Sequence, residues 1–541
     1  MKLNIKQSFL TAVVVVLAVG GVTTSCVGDL DVEPINPQQT MNLDKDALFN
    51  KIYGTFCLVG ENGPGDREGA DLGAIEELDI GQQTEFYRMQ WYMNEFTSDE
   101  ASWVWATDAG VPELLHNNYD ARNGFAMGLY YRLTYNITLC NYFLANVSDA
   151  QMAAEVRFIR AVNYYYMMDM FGAGPFLTKV SAELAPYYNR QQLYDFVESE
   201  LKDIEDNLSE PGENTYGRVD KVSAWMMLAR LYLNAEVYTG EAKWQLAKEY
   251  AEKVINNGYY HLMETPGTNP TTGETYTPYQ MLFLADNNTN GAQYETIFPL
   301  MLDGIKTQSY GSTNFLIFAA YSPEMSSNIP SGTDNHWGRC ARTRGKLVEK
   351  FFGADDAPQS HVIKDITDAA GDDRALFYPE GFTKYVEDEM DASQGYGYVK
   401  FRNVRSDGQP TTALDFVDTD LPFLRIAEAY LTYAEAVTRL NGVNQDAASK
   451  INSLRKRAHA TQNSSYTLED IMDEWSREFW FEGRRRMDLI RFNCYAGQSE
   501  YKWNYMGGEA AGTAFPSFRS VYAIPQNDLD NNSNLKQNEG Y

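Results

Sequence analysis

A dense aromatic segment, residues 85–105, carries the clearest chemistry in this sequence. It reads EFYRMQWYMNEFTSDEASWVW and holds seven aromatic residues. In an extended segment, residues i and i+2 point to the same face about 7 Å apart, so Trp103 and Trp105 would form a platform for successive sugar rings. The C–H faces of sugars pack on aromatic planes while their hydroxyls need polar partners, which Arg88 and Asp108 would supply. A buried structural pair is the alternative interpretation of the two indoles.

Signatures of catalysis are absent from the sequence. It contains no GxSxG, HExxH, P-loop or GxGxxG motif. Glycoside hydrolysis needs two carboxylates that flank the bond, and Asp372-Asp373 is a nominal candidate, but 74 acidic residues make adjacent pairs common by chance. We therefore predict that the protein is not an enzyme, and a surface glycoside hydrolase is the less favoured alternative.

Charge and composition limit the partners further. The 541 residues carry a net charge of -29, which repels phosphate backbones and disfavours nucleic acid. Five histidines and five cysteines, with no CxxC pair, give no metal-ligand spacing and no dense disulfide framework. The composition is that of a globular protein, because 44% of the residues are hydrophobic and 22% are charged.

The first residues predict an export signal that ends at a cysteine. Lys2 and Lys6 precede an apolar stretch, residues 9–19, and small residues then lead to Cys26. We predict that residues 1–25 are a lipoprotein signal peptide and that Cys26 receives a lipid anchor of the palmitate type. An ordinary exported protein with an incidental cysteine is the alternative. No later segment is apolar enough to span a bilayer, so the mature protein is expected to be tethered to a membrane.

The elements that would position these residues are mostly helices. Ser223–Tyr238 and Trp244–Ile255 show helical apolar spacing around the turn at residues 239–240, which is typical of a tetratricopeptide-like hairpin. Further helices are predicted at Glu155–Phe171, Arg190–Leu208, Pro422–Leu440, Ala447–Ala458 and Leu468–Phe481. Arginines inside these helices are expected to pair with carboxylates between helices. Residues 259–420 are rich in Gly, Asn, Asp and Thr, show little helical period, and are predicted to be a loop-rich, functional insert.

Several long motifs, spread over essentially the whole chain, resemble one family. They are DLDVEP after Cys26 (Asp29–Pro34), LARLYLNA (Leu228–Ala235), LPFLRIAEAYLTYAEA (Leu421–Ala436), INSLRKRA (Ile451–Ala458), REFWFEGRRRMDLIRF (Arg477–Phe492), AIP (Ala523–Pro525) and QNEGY (Gln537–Tyr541). Together they resemble the SusD/RagB family of outer-membrane nutrient-binding lipoproteins from Bacteroidetes. The segments EFYR (Glu85–Arg88), SWVW (Ser102–Trp105), DGIKTQSYGST (Asp303–Thr313) and GDDRAL (Gly371–Leu376) make the resemblance closest to its starch-binding members.

The resemblance implies a fold and a place in the cell. The fold would be mostly α, with four tetratricopeptide-like hairpins that support a loop-rich, ligand-binding half. Residues 26–541 would be a single SusD-like domain, with hairpins mainly within 41–258 and 421–492 and the insert at about 259–420. The protein would lie at the outer surface of the outer membrane, where it would capture starch or malto-oligosaccharides and deliver them to a SusC-like TonB-dependent transporter.

The resemblance also implies a ligand site. Trp103, Trp105 and Tyr310 would form an aromatic arc that matches the curve of an α-1,4-glucan, and Arg88 would bond sugar hydroxyls. Asp108 stands where the arc's polar asparagine is expected, and a carboxylate accepts hydrogen bonds but does not donate them. The same scaffold tuned to a different glycan is the main alternative, since loops set specificity in a shared fold.

No cofactor is required under this interpretation, although a structural calcium is a further expectation. Asp286, Asn288, Asp418 and Asp420 would offer the hard oxygen ligands that calcium prefers. Helix-capping and turn roles are the alternative for these four residues.

Overall fold

The structure is a computed structural model that describes residues 44–105 and 107–541. The predicted signal peptide, residues 1–25, and the predicted lipid attachment site, Cys26, lie outside these residues. Within them, no helix combines the length and the apolar character that crossing a bilayer requires. Residues 49–541 form one compact unit.

Helices account for most of the regular structure in the part of the chain that is described. In chain order they are α1 (Lys45–Gly54), α2 (Ile80–Gln83), α3 (Phe86–Glu95), α4 (Val111–Leu115), α5 (Gly124–Asn146), α6 (Ala150–Tyr166), α7 (Arg190–Asp203), α8 (Lys221–Leu233), α9 (Ala235–Thr239), α10 (Trp244–Ile255), α11 (Pro278–Met281), α12 (Ser312–Ala320), α13 (Pro323–Asn328), α14 (Gly345–Phe352), α15 (Ile363–Ala370), α16 (Ala427–Asn441), α17 (Gln445–Arg457), α18 (Leu468–Phe479), α19 (Arg485–Arg491) and α20 (Gln526–Asn531). A π-helical turn, Met167–Phe171, extends α6.

The strands are short and pair in antiparallel twos. They are β1 (Ala101–Trp103), β2 (Ala173–Pro175), β3 (Tyr187–Asn189), β4 (Gly267–Thr268), β5 (Thr275–Tyr276), β6 (Thr296–Leu300), β7 (Ala341–Thr343), β8 (Phe377–Tyr378), β9 (Gly397–Tyr398) and β10 (Leu421–Arg425). The pairs are β1 with β7, β2 with β3, β4 with β5, β6 with β10, and β8 with β9. The expectation of a mostly helical fold is therefore confirmed, whereas the count of four tetratricopeptide-like hairpins stays a prediction.

Helix α10 packs through a narrow stripe of small apolar residues. On α10, Ala247, Ala251 and Val254 are fully buried, and the helix packs against α8 and α16. Alanines at this spacing put small side chains on the buried face, so neighbouring backbones approach closely. The predicted limits of this helix, Trp244–Ile255, are those of the structure.

Two predicted helices differ from the structure for local and non-local reasons. Ser223–Tyr238 was expected to be one helix, but it divides at Asn234, whose side-chain amide donates to the carbonyl of Arg230. Asparagine competes with the helix by bonding its backbone in this way. Pro422–Leu440 was expected to be helical throughout, but its first residues belong to β10, which pairs with β6 from a distant part of the chain.

Buried ion pairs join the helices, as predicted. Arg230 of α8 makes a bidentate pair with Glu428 of α16, with N–O distances of 2.7 and 2.6 Å. Arg491 of α19 pairs with Glu435 of α16 at 2.8 and 3.0 Å. All four side chains are nearly inaccessible to solvent, so each charge depends on its partner.

The predicted loop-rich insert, residues 259–420, holds only short elements. Its longest helix, α12, has nine residues, and its strands have two to five. Short elements leave long connecting loops, and α12 with the loops beside it carries part of the candidate site.

Candidate functional site

Trp103 and Trp105 lie on either side of a strand end. Trp103 is the last residue of β1 and pairs with Ala341 of β7, whereas Trp105 follows the strand. Trp103 is only 2% exposed and Trp105 is 44% exposed. Their ring centroids are 5.7 Å apart with an interplanar angle of 88°. The common platform predicted from the WxW spacing does not form, because the alternation of a strand no longer applies beyond Trp103.

Asp108 connects the two tryptophans. Its carboxylate accepts a hydrogen bond from Nε1 of Trp103 at 3.0 Å, and its backbone N–H donates to the carbonyl of Trp105 at 3.0 Å. Asp108 stands where an asparagine is expected. Its partner, the indole N–H of Trp103, needs only an acceptor, which a carboxylate provides. Its contact with a sugar stays a prediction.

Arg88 lies beneath the site on α3 and is 3% exposed. Its guanidinium donates to the carbonyls of Gly81 (3.1 Å) and Tyr310 (3.0 Å) and to the hydroxyl of Tyr92 (2.9 Å). It also lies 5.0 Å from the ring centroid of Trp337. These contacts fix the backbone under Tyr310, while the predicted bonds from Arg88 to sugar hydroxyls stay untested.

Tyr310 has an aromatic neighbour, Trp337, that no sequence pattern marks. Trp337 is half-buried like Tyr310, and the two ring centroids are 5.9 Å apart at 70°. Trp337 stands alone in a loop rich in Asn, Ser and Gly, so neither spacing nor periodicity marks it. Only the fold brings it beside Tyr310.

A continuous series of ring contacts joins the two halves of the site. Trp105 contacts Trp103 (5.7 Å), Trp103 contacts Phe315 (6.3 Å), Phe315 contacts Trp337 (6.2 Å), and Trp337 contacts Tyr310 (5.9 Å). Trp103 and Phe315 are buried, and the other three reach solvent. We call Trp105, Tyr310 and Trp337 the aromatic surface, with Trp103 and Phe315 as its base.

Glu85 ties this surface to α3. Its carboxylate caps the helix by accepting the N–H of Arg88, and it accepts the hydroxyl proton of Ser312 at 2.7 Å. A side chain at Gly311 would begin 2.1 Å from the Glu85 carboxyl carbon, so the glycine permits this close approach. Burial raises the pKa of Glu85 to about 7, against the opposing effect of its hydrogen bonds.

The residues predicted to bind calcium do lie in neighbouring segments, since the side-chain amide of Asn287 donates to the carbonyl of Asp420 at 2.8 Å. Their carboxylates, however, accept hydrogen bonds from the protein. Asp286 accepts from Ser406, Asp418 accepts from Gly304 and Thr412, and Asp420 accepts from Leu302 and Tyr216.

These oxygens do not present a common ligand set. No cluster of three His, Cys, Asp or Glu side chains fit for a metal occurs in residues 44–105 and 107–541. Burial raises the pKa of Asp420 to about 7, which favours its protonated form, and Asn288 is half-buried beside Asn287. These hydrogen bonds are those of the alternative turn role, and calcium binding stays a prediction that a calcium titration would test.

Comparison with known proteins places these features in one family. A sequence profile of the SusD family matches residues 335–541. The chain is 37% identical to the starch-binding protein SusD of Bacteroides thetaiotaomicron, over 99% of both chains. It is 25% identical to a SusD-like protein of Bacteroides ovatus, over 65% of this chain and 61% of that protein.

Solved structures show the same fold at lower identity. A SusD superfamily protein from Parabacteroides distasonis superposes with a TM-score of 0.65 at 19% identity, over 92% of this chain and 98% of the other. The surface glycan-binding protein A from Bacteroides uniformis gives a TM-score of 0.63 at 18% identity, over 91% and 98%.

Proposed function

This chain belongs to the SusD family, and from that premise we propose that it is a cell-surface lipoprotein that binds starch and malto-oligosaccharides. The observation that carries the proposal is the aromatic surface. Three rings from distant parts of the chain reach solvent over a buried base of two more. The relative that is 37% identical over 99% of the chain is named for starch binding.

The geometry suits a polysaccharide of repeated, uncharged rings. Trp105, Tyr310 and Trp337 offer apolar faces on which sugar C–H groups pack. Arg88 and Asp108 fix the backbone and the indole beneath these rings, so little side-chain freedom is lost when a glycan binds. In this proposal Arg88 and Asp108 support the aromatic surface from beneath, and their direct contacts with sugar hydroxyls stay a prediction.

Binding without catalysis is part of the proposal. The relatives that carry functional names are called binding proteins. The three residues of the aromatic surface are Trp and Tyr, and the two charged residues beneath it, Arg88 and Asp108, are hydrogen-bonded to other protein groups. We therefore infer that the protein captures glycan and leaves it unchanged.

The proposed place of action is the outer face of the outer membrane. Family membership and the cysteine that follows the predicted signal support anchoring through Cys26. A SusC-like TonB-dependent transporter is the proposed recipient of the captured glycan. Mass spectrometry of the native N-terminal peptide would test the anchor, and copurification from outer membranes would test the transporter.

A native affinity gel with amylopectin, dextran, inulin and xylan in parallel lanes tests the ligand. We expect retardation by amylopectin alone, because the relative that is 37% identical to this chain is named for starch binding. Retardation by another glycan instead would keep the scaffold and replace the ligand, which is the second candidate function. Release of reducing sugar from amylopectin would contradict the non-catalytic proposal.

A further inference from the structure

A cavity of about 580 Å³, lined mostly by polar residues, lies between the segments around Gln83 and Gly110. Its volume is within the range of small-ligand sites. Residues Ala109 and Gly110 form one wall, and Gln83 forms part of another. The first wall follows Trp105 in the chain, and the second belongs to the short helix α2, whose Gly81 lies against Tyr310.

The first wall is joined to Trp105 by two successive backbone hydrogen bonds. The N–H of Asp108 donates to the carbonyl of Trp105 at 3.0 Å, and the N–H of Val111 donates to the carbonyl of Asp108 at 3.1 Å. The side chain of Asn123 donates to the carbonyl of Gly110 at 2.9 Å and holds the wall from the other side. Trp105 and this wall of the cavity therefore belong to one hydrogen-bonded loop.

The second wall is joined to Tyr310 through the short helix α2. Gly81 lies so close to Tyr310 that a Cβ at residue 81 would be 3.4 Å from Cδ2 of the ring. Arg88 bonds the carbonyls of both residues. Gln83, two residues further along the chain, faces the cavity. Short stretches of chain therefore join the lining of the cavity to Trp105 on one side and to the neighbour of Tyr310 on the other.

The lining has the chemistry of a site for a neutral, hydroxyl-rich ligand. Three side-chain groups of the lining make no hydrogen bond to any described residue, which leaves donors and acceptors for a ligand. They are the amide nitrogen of Gln83, the side-chain amide of Asn118 and the carboxylate of Glu113. Three carboxylates, those of Glu77, Glu113 and Asp120, face the cavity with one guanidinium, Arg122. This excess of negative charge disfavours anionic sugars.

We propose that this cavity is a second carbohydrate subsite, which takes glucose units of the same α-glucan beyond those packed on the aromatic surface. The inference rests on the proposed function and extends it from stacking on rings to hydrogen bonding of a continuing chain. Long or branched glucans would reach both sites, whereas a compact cyclodextrin ring would occupy the aromatic surface alone.

Isothermal titration of the purified protein with long linear maltodextrin and with β-cyclodextrin tests this division. The variant is Glu113→Ala with Asn118→Ala, both at exposed positions of the cavity. The matched control is Glu252→Ala with Asn256→Ala, an exposed Glu and Asn at α10. We expect the cavity variant to bind maltodextrin about tenfold more weakly, as loss of two hydrogen bonds implies, and to bind cyclodextrin like the control and the unaltered protein.

Each other outcome overturns the inference in a recognisable way. Unchanged maltodextrin affinity in the cavity variant would mean that the cavity binds no sugar. Equal losses for both ligands would mean that the cavity only shapes the aromatic surface. Unaltered protein that binds neither ligand would refute the proposed function itself, and the subsite with it.

Discussion

The helical side of this protein, α5–α10 with α16–α18, and the aromatic surface are stabilised by different kinds of contact. On the helical side, apolar stripes at helical spacing pack together and buried ion pairs such as Arg230–Glu428 join neighbouring helices. At the aromatic surface, rings from three distant segments are fixed by bonds to backbone carbonyls and by single side-chain contacts.

This difference separates stability from ligand binding. Helix packing distributes its free energy over many buried groups, so a loss there is felt by the whole fold. Exposed rings contribute little to folding and much to a ligand that covers them. Substitutions in the two regions should therefore change different measurements.

The largest expected effect is that of Glu428→Gln on the helical side. The change leaves Arg230 buried without its charged partner, and loss of one member of such a pair costs about 3–5 kcal/mol. Chemical denaturation should show this fall in the free energy of unfolding. Titration with β-cyclodextrin, corrected for the folded fraction, should show unchanged affinity, and a changed affinity would remove the separation of the two regions.

The second prediction rests on two buried carboxylates whose pKa values are shifted in opposite directions. Burial opposes ionisation of Glu428, but Arg230 and Arg484 outweigh it and lower its pKa. Burial raises the pKa of Glu85 from 4.5 to about 7. Between pH 4.5 and about pH 7, Glu85 keeps in the folded protein a proton that it has lost in the unfolded chain. The contribution of Glu85 to stability therefore falls as the pH rises through this range.

Glu85→Gln removes this titration. The free energy of unfolding of the variant, relative to that of the unaltered protein, should rise by roughly 3 kcal/mol or less as the pH goes from 4.5 to 8. The figure follows from about 1.4 kcal/mol for each pK unit. Denaturation curves at several pH values would measure the difference, in which the contribution of Asp420, whose pKa burial also raises, cancels. A constant difference across this range would show that Glu85 is ionised in the folded protein.

The third prediction concerns the exposed ring itself. Trp105→Ala should weaken α-glucan binding by about tenfold or more, because a large stacking face is lost, while its 44% exposure limits the change in Tm to a few degrees. Trp337→Ala should also weaken binding, since its ring borders Tyr310. A folding collapse of the Trp105 variant would support a structural role for that indole.

The two regions also differ in how far the sequence predicts them. Helix α10 was predicted with its limits because its apolar spacing is local. At Pro422–Leu440 the local pattern predicts only helix, but the first residues form strand β10. The partner of this strand, β6, lies more than a hundred residues away in the chain, so no local pattern indicates the pairing. For the aromatic surface and its base, local aromatic density marks Trp105 and Trp103, family resemblance alone marks Tyr310, and no sequence pattern marks Trp337. Contacts between distant segments decide which of these rings reach solvent.

The smallest expected effect concerns the one hydrogen bond that joins the base of the aromatic surface to its exposed edge. Asp108→Ala leaves Nε1 of the buried Trp103 without its acceptor, which costs about 1 kcal/mol in stability, and loosens the turn that carries Trp105, so glucan affinity should fall a few-fold. Asp108→Asn keeps an acceptor and should bind like the unaltered protein. Titration and denaturation of both variants would decide the matter: an Asn variant as weak as the Ala variant would assign the effect to the negative charge, and the aromatic surface would then depend on electrostatics as the helical side does.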